Sequence, residues 1–156
     1  MNSPDQDHPQ VVAMPPLLFA ACLGVGLGLH GLFPIALTPA GPLRAVGISF
    51  LVTSAAIAIS ASAVMRKAGT HIRPDKPATT VVTAGPFRFT RNPMYLSLCL
   101  LNTGIALLVC GLIPLLMTAV LATILQQGVI LREEKYLAAK FGPAYVDYRN
   151  RVRRWF

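Results

Sequence analysis

Three stretches of this chain carry no Asp, Glu, Lys or Arg: Val11 to Leu43, Ala45 to Met65 and Met94 to Leu131. A bilayer core takes about 20 apolar residues per helical crossing. The first two stretches therefore supply one crossing each. The third, drawn as a single helix rising about 1.5 Å per residue, is nearly twice as long as a membrane is thick, so it folds back as a hairpin. Gly111 and Pro114 sit where the turn belongs, because Gly tolerates unusual φ and Pro cannot continue a helix interior. The chain is 54% hydrophobic and 13% charged, against roughly 25% charged in soluble domains. The expectation is an all-α polytopic membrane protein of about four transmembrane helices, with a helix 3–4 hairpin and a cytoplasmic, amphipathic C-terminal helix.

A net charge of +8 would suit a nucleic-acid partner, but the placement of the charges excludes that reading. Arg66, Lys67, Arg73, Lys76, Arg88 and Arg91 fall between the second and third apolar stretches. Arg132, Lys135, Lys140, Arg149, Arg151, Arg153 and Arg154 follow the last one, and Arg44 alone falls elsewhere. With four helices both basic regions share one face. The positive-inside rule makes that face cytoplasmic, in a bacterial inner membrane, with both termini and the 66–93 loop on it. Asp5 and Asp7 precede the first apolar run with no basic residue, the reverse of the start of a signal peptide. Cys22, Cys99 and Cys110 lie in apolar segments without metal-type spacing and read as buried small hydrophobes, so no metal is expected.

Residues 1–10 read as a disordered polar tail, and 11–156 as one domain. Helix one is expected from Met14 to Phe33, with Gly24 and Gly28 spaced for close helix packing, and helix two from Leu43 to Met65. The 66–93 loop includes Thr79-Thr80-Val81-Val82-Thr83, an extended segment by composition, then a turn at Gly85-Pro86. Pro93 suits the first turn of helix three, where its missing N–H is no loss. Glu133 to Phe141 is amphipathic and stops at Gly142-Pro143. Tyr145, Tyr148, Val152, Trp155 and Phe156 alternate with arginines, which suits a tail in the headgroup region.

Two polar, aromatic segments flank the last apolar run: Gly85-Pro86-Phe87-Arg88-Phe89-Thr90-Arg91-Asn92-Pro93-Met94-Tyr95, and Arg132-Glu133-Glu134-Lys135 through Phe141-Gly142-Pro143-Ala144-Tyr145. A hairpin brings them together. Singly, each residue has an ordinary reading: Glu133 and Glu134 as a solvated helix start, Arg88 and Arg91 as snorkelling anchors, Tyr95 as an interfacial aromatic. His71 reads as a loop residue and His30 as structural. Gln126 or Gln127, near the cytoplasmic end of helix four, is placed to face the bundle interior.

Together, in this order and spacing, the two segments resemble the isoprenylcysteine carboxyl methyltransferase and phospholipid methyltransferase superfamily of small membrane enzymes that use S-adenosylmethionine. The resemblance spans about residues 66–154. It implies that Thr79, Thr80, Val81, Val82, Phe87, Arg88, Arg91, Asn92, Pro93, Met94, Tyr95 and Glu133 line the cofactor. Glu133 would bind its amine or ribose hydroxyls, and Arg132, Glu133 and Glu134 are the catalytic candidates. Three positions depart from the family pattern: Asn92 for a His, Ser97 for a Gly, and Val129 for an Arg associated with the acceptor carboxylate of prenylcysteine enzymes. The last departure points away from a prenylcysteine acceptor.

The expected activity is methyl transfer to a lipophilic small-molecule or lipid acceptor, through a carboxylate, amine or thiol. A carboxylate is already ionised near neutral pH and needs no base, whereas an amine or thiol would draw on Glu134, His71 or a Tyr. A transporter is disfavoured because no charged residue lies inside a helix. A non-catalytic membrane adaptor with the same fold is the alternative.

Overall fold

The computed structural model describes residues 8–155. Of the tail read over residues 1–10, positions 1–7 lie outside the described residues. Helix α1 spans Pro15–Leu32 and α2 Ala40–Lys67. A 3₁₀ turn at Gly85–Arg88 precedes α3, Pro93–Leu108. Helix α4, Leu112–Leu125, passes through a π-turn at Gln126–Ile130 into α5, Leu131–Phe141, and α6 covers Pro143–Arg151. The protein is an all-α polytopic membrane protein. Helices α1, α2 and the continuous α4–α5 rod are long and apolar enough to cross a membrane, and α3 is a shorter apolar helix.

Helices α2 and α4 flank α3, and α1 packs on α4. Helices α1 and α2 share almost no contact, and at the basic end a cavity lies between residues of both. Small residues set the close approaches, as lipid-embedded packing requires. A Cβ added at Gly104 would sit 2.6 Å from Leu51 Cδ2 and 3.0 Å from the Gly47 carbonyl oxygen on α2. Gly26 plays the same part where α1 meets Pro114 of α4. The expected packing role of Gly24 and Gly28 is not realised: both are exposed, with open space where a methyl group would sit. They lie on the outer face of α1, while Gly26 takes the inner one.

Polar pins hold the hairpin in register. Asn102, fully buried, donates to the Pro114 carbonyl at 3.0 Å and to Thr118 Oγ1 at 2.9 Å. The hairpin turn occupies Val109–Gly111, where Cys110 takes φ 51°. Pro114 is not part of that turn. It lies in the first turn of α4, where a missing N–H costs no helix bond. Ser97 lies in the α2–α3 contact. It is buried, its hydroxyl donates to the Met94 carbonyl, and its own carbonyl accepts from Ser54 Oγ at 2.7 Å. All three cysteines are buried and free.

The segment after α5 departs from a tail lying in the headgroups. Gly142, at φ 53°, reverses the chain, and Pro143 opens α6. Tyr145 and Tyr148, one turn apart, then face inward at 2% and 4% exposure beside Phe87 and Ala61. Burying two amphipathic rings this way is worth more than leaving them at the interface.

Gly104→Val should lower thermal stability by about 1–3 kcal/mol through overpacking against α2. Gly24→Ala should leave it unchanged or slightly raised, because Ala is the better helix former. Thermal unfolding in nanodiscs measures both.

Candidate functional site

The basic end of the bundle contains a cavity of about 330 Å³, within the range of small-molecule sites. Its walls come from the start of α3 (Arg91 to Tyr95, with Ser97 and Leu98), from Glu133, Glu134 and Leu137 of α5, and from Thr80 to Val82 and Phe87 of the central loop. Tyr145 and Tyr148 of α6 close one side. Pro15 and Pro16 of α1 and Ala58 and Met65 of α2 line another side, between those helices.

Local sequence explains the assembly. Pro93 begins α3 and Asn92 precedes it in a non-helical conformation. On α5, the π-turn inserts one residue into the rod, advancing the following side chains by about 100° around the axis. Glu133 and Glu134 thereby both reach the cavity. The loop is held by side chains rather than by a strand ladder. The Thr79 N–H donates to Thr70 Oγ1 at 3.2 Å, and the Ala78 N–H to Tyr136 Oη at 3.3 Å.

Two carboxylates have different surroundings. Glu133 Oε1 accepts from Tyr95 Oη at 2.6 Å, a length typical of a hydroxyl donating to a charged acceptor. Glu134, 8% exposed, is gripped by Arg154, whose Nε and Nη2 donate to its two oxygens at 2.9 and 2.8 Å. Arg91 Nη1 lies 3.2 Å from Glu134 Oε1, and the Arg91 side chain is 9% exposed. That contact is an ion pair without hydrogen-bond alignment: Arg91 Nε and Nη1 are buried without a hydrogen-bond partner. A buried guanidinium with orphaned donors on a cavity wall is costly unless a ligand supplies acceptors. Tyr148 Oη donates to the Phe87 carbonyl at 2.8 Å. Burial first, then the nearby Glu134 charge, pushes the Tyr145 phenol up to about 12, with the Arg91 charge opposing the rise, so the phenol remains a donor at neutral pH.

Of the residues expected at a site, Thr80, Val81, Val82, Phe87, Arg91, Asn92, Pro93, Met94, Tyr95, Glu133 and Glu134 line the cavity. Three lie off its wall. Thr79 Oγ1 donates to the Gly69 carbonyl, Arg88 is exposed, and Arg132 Nη1 donates to the Gln10 carbonyl at 2.9 Å. Asn92 borders the cavity, but its amide donates to the Arg154 carbonyl at 3.0 Å. Val129 is fully buried among Leu121, Leu125 and Ile130, far from any role as an Arg substitute. Gln126 accepts from Trp155 Nε1 at 2.8 Å and Gln127 is exposed, so neither lines the cavity. His71 does line it. Sequence reasoning missed Tyr145, Tyr148 and Arg154; the i, i+3 spacing of the two tyrosines was a usable signal, since it places them on one helix face. Among the described residues no cluster of His, Cys, Asp and Glu could hold a metal.

These features define a small polytopic membrane protein with a two-sided cavity at its basic end. Residues 43–144 match the phospholipid methyltransferase family, and the chain belongs to it. Methyl transfer at a membrane is the activity this membership implies, and S-adenosylmethionine is the donor such enzymes typically use. The chain is also similar to an uncharacterized protein of Haemophilus influenzae, 39% identical over 62 residues, which is 40% of this chain and 98% of that protein.

Glu134→Gln should cost about 3 kcal/mol, because it leaves Arg91 buried beside no counter-charge. Asp75→Asn, at the exposed Arg73–Asp75 pair, should leave the unfolding temperature unchanged. A raised phenol pKa contributes stability that is fully present below the unfolded value near 10 and lost as pH rises through the folded value of about 12. Tyr145→Phe should therefore flatten the fall in stability between those limits, read by chemical unfolding at several alkaline pH values.

Proposed function

We propose that this protein transfers a methyl group from S-adenosylmethionine to a lipophilic acceptor that enters from the bilayer. The observation that carries the reading is the two-sided cavity. One wall is polar and charged, with Glu133, Tyr95 and Arg91; the other is apolar, with Pro16, Ala58 and Leu98, and includes residues of both α1 and α2. A water-soluble zwitterion suits the first wall and an acyl or prenyl-like chain the second. The orphaned donors of Arg91 match a carboxylate, and the Glu133 carboxylate matches an amine or ribose hydroxyls. Phe87, Met94 and Val82 supply apolar surface for a purine.

When bound, S-adenosylmethionine supplies an electrophilic methyl on a sulfonium. The chain's task is then chiefly geometric: to hold donor and acceptor in line at attack distance. Tyr95 fixes the orientation of Glu133, and Arg154 that of Glu134. A carboxylate acceptor needs no base; for an amine or thiol, His71, Glu134 or a tyrosine of the wall is the candidate base. With Val129 buried and Arg132 turned to Gln10, no cation replaces the one prenylcysteine enzymes carry there, which favours an acceptor other than prenylcysteine. Positive charge at this end favours a cytoplasmic cavity in a bacterial inner membrane.

Calorimetry on nanodisc-embedded protein tests the cofactor assignment. Wild type should bind S-adenosylmethionine in the micromolar range. Glu133→Gln should weaken binding at least tenfold, about 1.4 kcal/mol, with its unfolding temperature kept. Folded wild type that binds no S-adenosylmethionine would leave the non-catalytic adaptor as the better reading.

A further inference from the structure

The segment that follows α6 is bonded to the entry of α3, to the π-turn and to α5. Thr90 Oγ1 and Asn92 Nδ2 both donate to the Arg154 carbonyl at 3.0 Å, and the Arg91 N–H donates to the Arg153 carbonyl at 3.0 Å. Trp155 Nε1 donates to Gln126 Oε1 in the π-turn. The tail thus bridges the entry to α3, the π-turn and α5. The family match ends at residue 144, before Arg153, Arg154 and Trp155.

Arg154 also decides how Glu134 is shared. A carboxylate between two guanidiniums can make a forked, two-bond pair with only one of them well. Here Arg154 takes both oxygens with aligned bonds. Arg91 also contacts the Tyr145 phenol, but it is left with one unaligned contact to Glu134 at 3.2 Å and with Nε and Nη1 lacking hydrogen-bond partners. Arg154 is 33% exposed at its side chain, Arg91 only 9%. The wetter arginine is satisfied by protein and the buried one is not, the reverse of what stability alone favours.

We propose that Arg154 is a positioning residue for ligand recognition: by occupying Glu134 it keeps donors of the Arg91 guanidinium, Nε and Nη1, unsatisfied and available to the carboxylate of the bound nucleoside. This rests on the methyltransferase reading and adds a residue to it. Without Arg154, Glu134 turns to Arg91, forms the forked pair, and neutralises the group meant for the ligand. The bidentate geometry matters, so a single ammonium at 154 is only a partial substitute.

The test compares two nucleosides that differ at the amino-acid end. S-Adenosylhomocysteine carries the carboxylate; 5′-methylthioadenosine lacks both it and the amine. Binding of each is measured by calorimetry to wild type, Arg154→Met and Arg154→Lys in nanodiscs. Trp155, the single tryptophan, reports by its emission and acrylamide quenching whether the tail remains docked. The expected result is that Arg154→Met weakens S-adenosylhomocysteine at least tenfold and methylthioadenosine less than twofold, with Trp155 still protected. Arg154→Lys should fall between wild type and Met for the first ligand only. Parallel loss of both ligands in both variants would make Arg154 merely structural and overturn the proposal, as would no loss of either. Wild type that binds neither nucleoside would sink the methyltransferase reading itself, and the proposal with it.

Discussion

One buried carboxylate holds the basic end of this protein together. Glu134 comes from α5, Arg91 from the residue pair ahead of α3, and Arg154 from the segment after α6, and the carboxylate joins all three. Removing Glu134 would strand two cations at a poorly hydrated site, whereas removing one arginine leaves the carboxylate paired with the other. The arrangement also leaves a surplus of positive charge on the cavity wall, which a ligand anion would complete. On the proposed reading, structure and recognition draw on the same three side chains.

The rest of the bundle serves that junction. Glycines at the α2–α3 and α1–α4 crossings bring backbones close, and Asn102 fixes the hairpin register so that the ends of α3 and α5 arrive level with one another. The π-turn then rotates α5 until both glutamates face the cavity. A bilayer permits such irregular helix geometry only where the freed backbone groups are buried in protein, and Gly128, Val129 and Ile130 are all buried. Because α1 and α2 stay apart, residues of both line one flank of the cavity.

Much of this was legible in the sequence because membrane folding is governed by a coarse rule: charge-free runs of sufficient length become helices. That rule placed all four apolar helices and the hairpin, and the two polar motifs either side of it located the cavity through Arg91 to Tyr95 and Glu133. What escaped detection depends on finer geometry. Nothing in the spacing of Gly24 and Gly28 says they face outward while Gly26 faces in. The alternation of arginines with Tyr145, Tyr148 and Trp155 reads equally well as a surface tail, since amphipathic residues suit either setting. Only Gly142's reversal, a local backbone event, folds that segment onto the site. Arg154 and the division of Glu134 between two arginines are tertiary facts with no local signature.

The central claim, that Arg91, Tyr95 and Glu133 form a nucleoside site at the basic end of the bundle, is tested most directly by photo-crosslinking radiolabelled S-adenosylmethionine in native membranes, followed by peptide mapping. Label on the peptides spanning residues 87–98 or 131–137, displaced by excess S-adenosylhomocysteine, is the predicted result. Label confined to other segments, or none that competes, would contradict it.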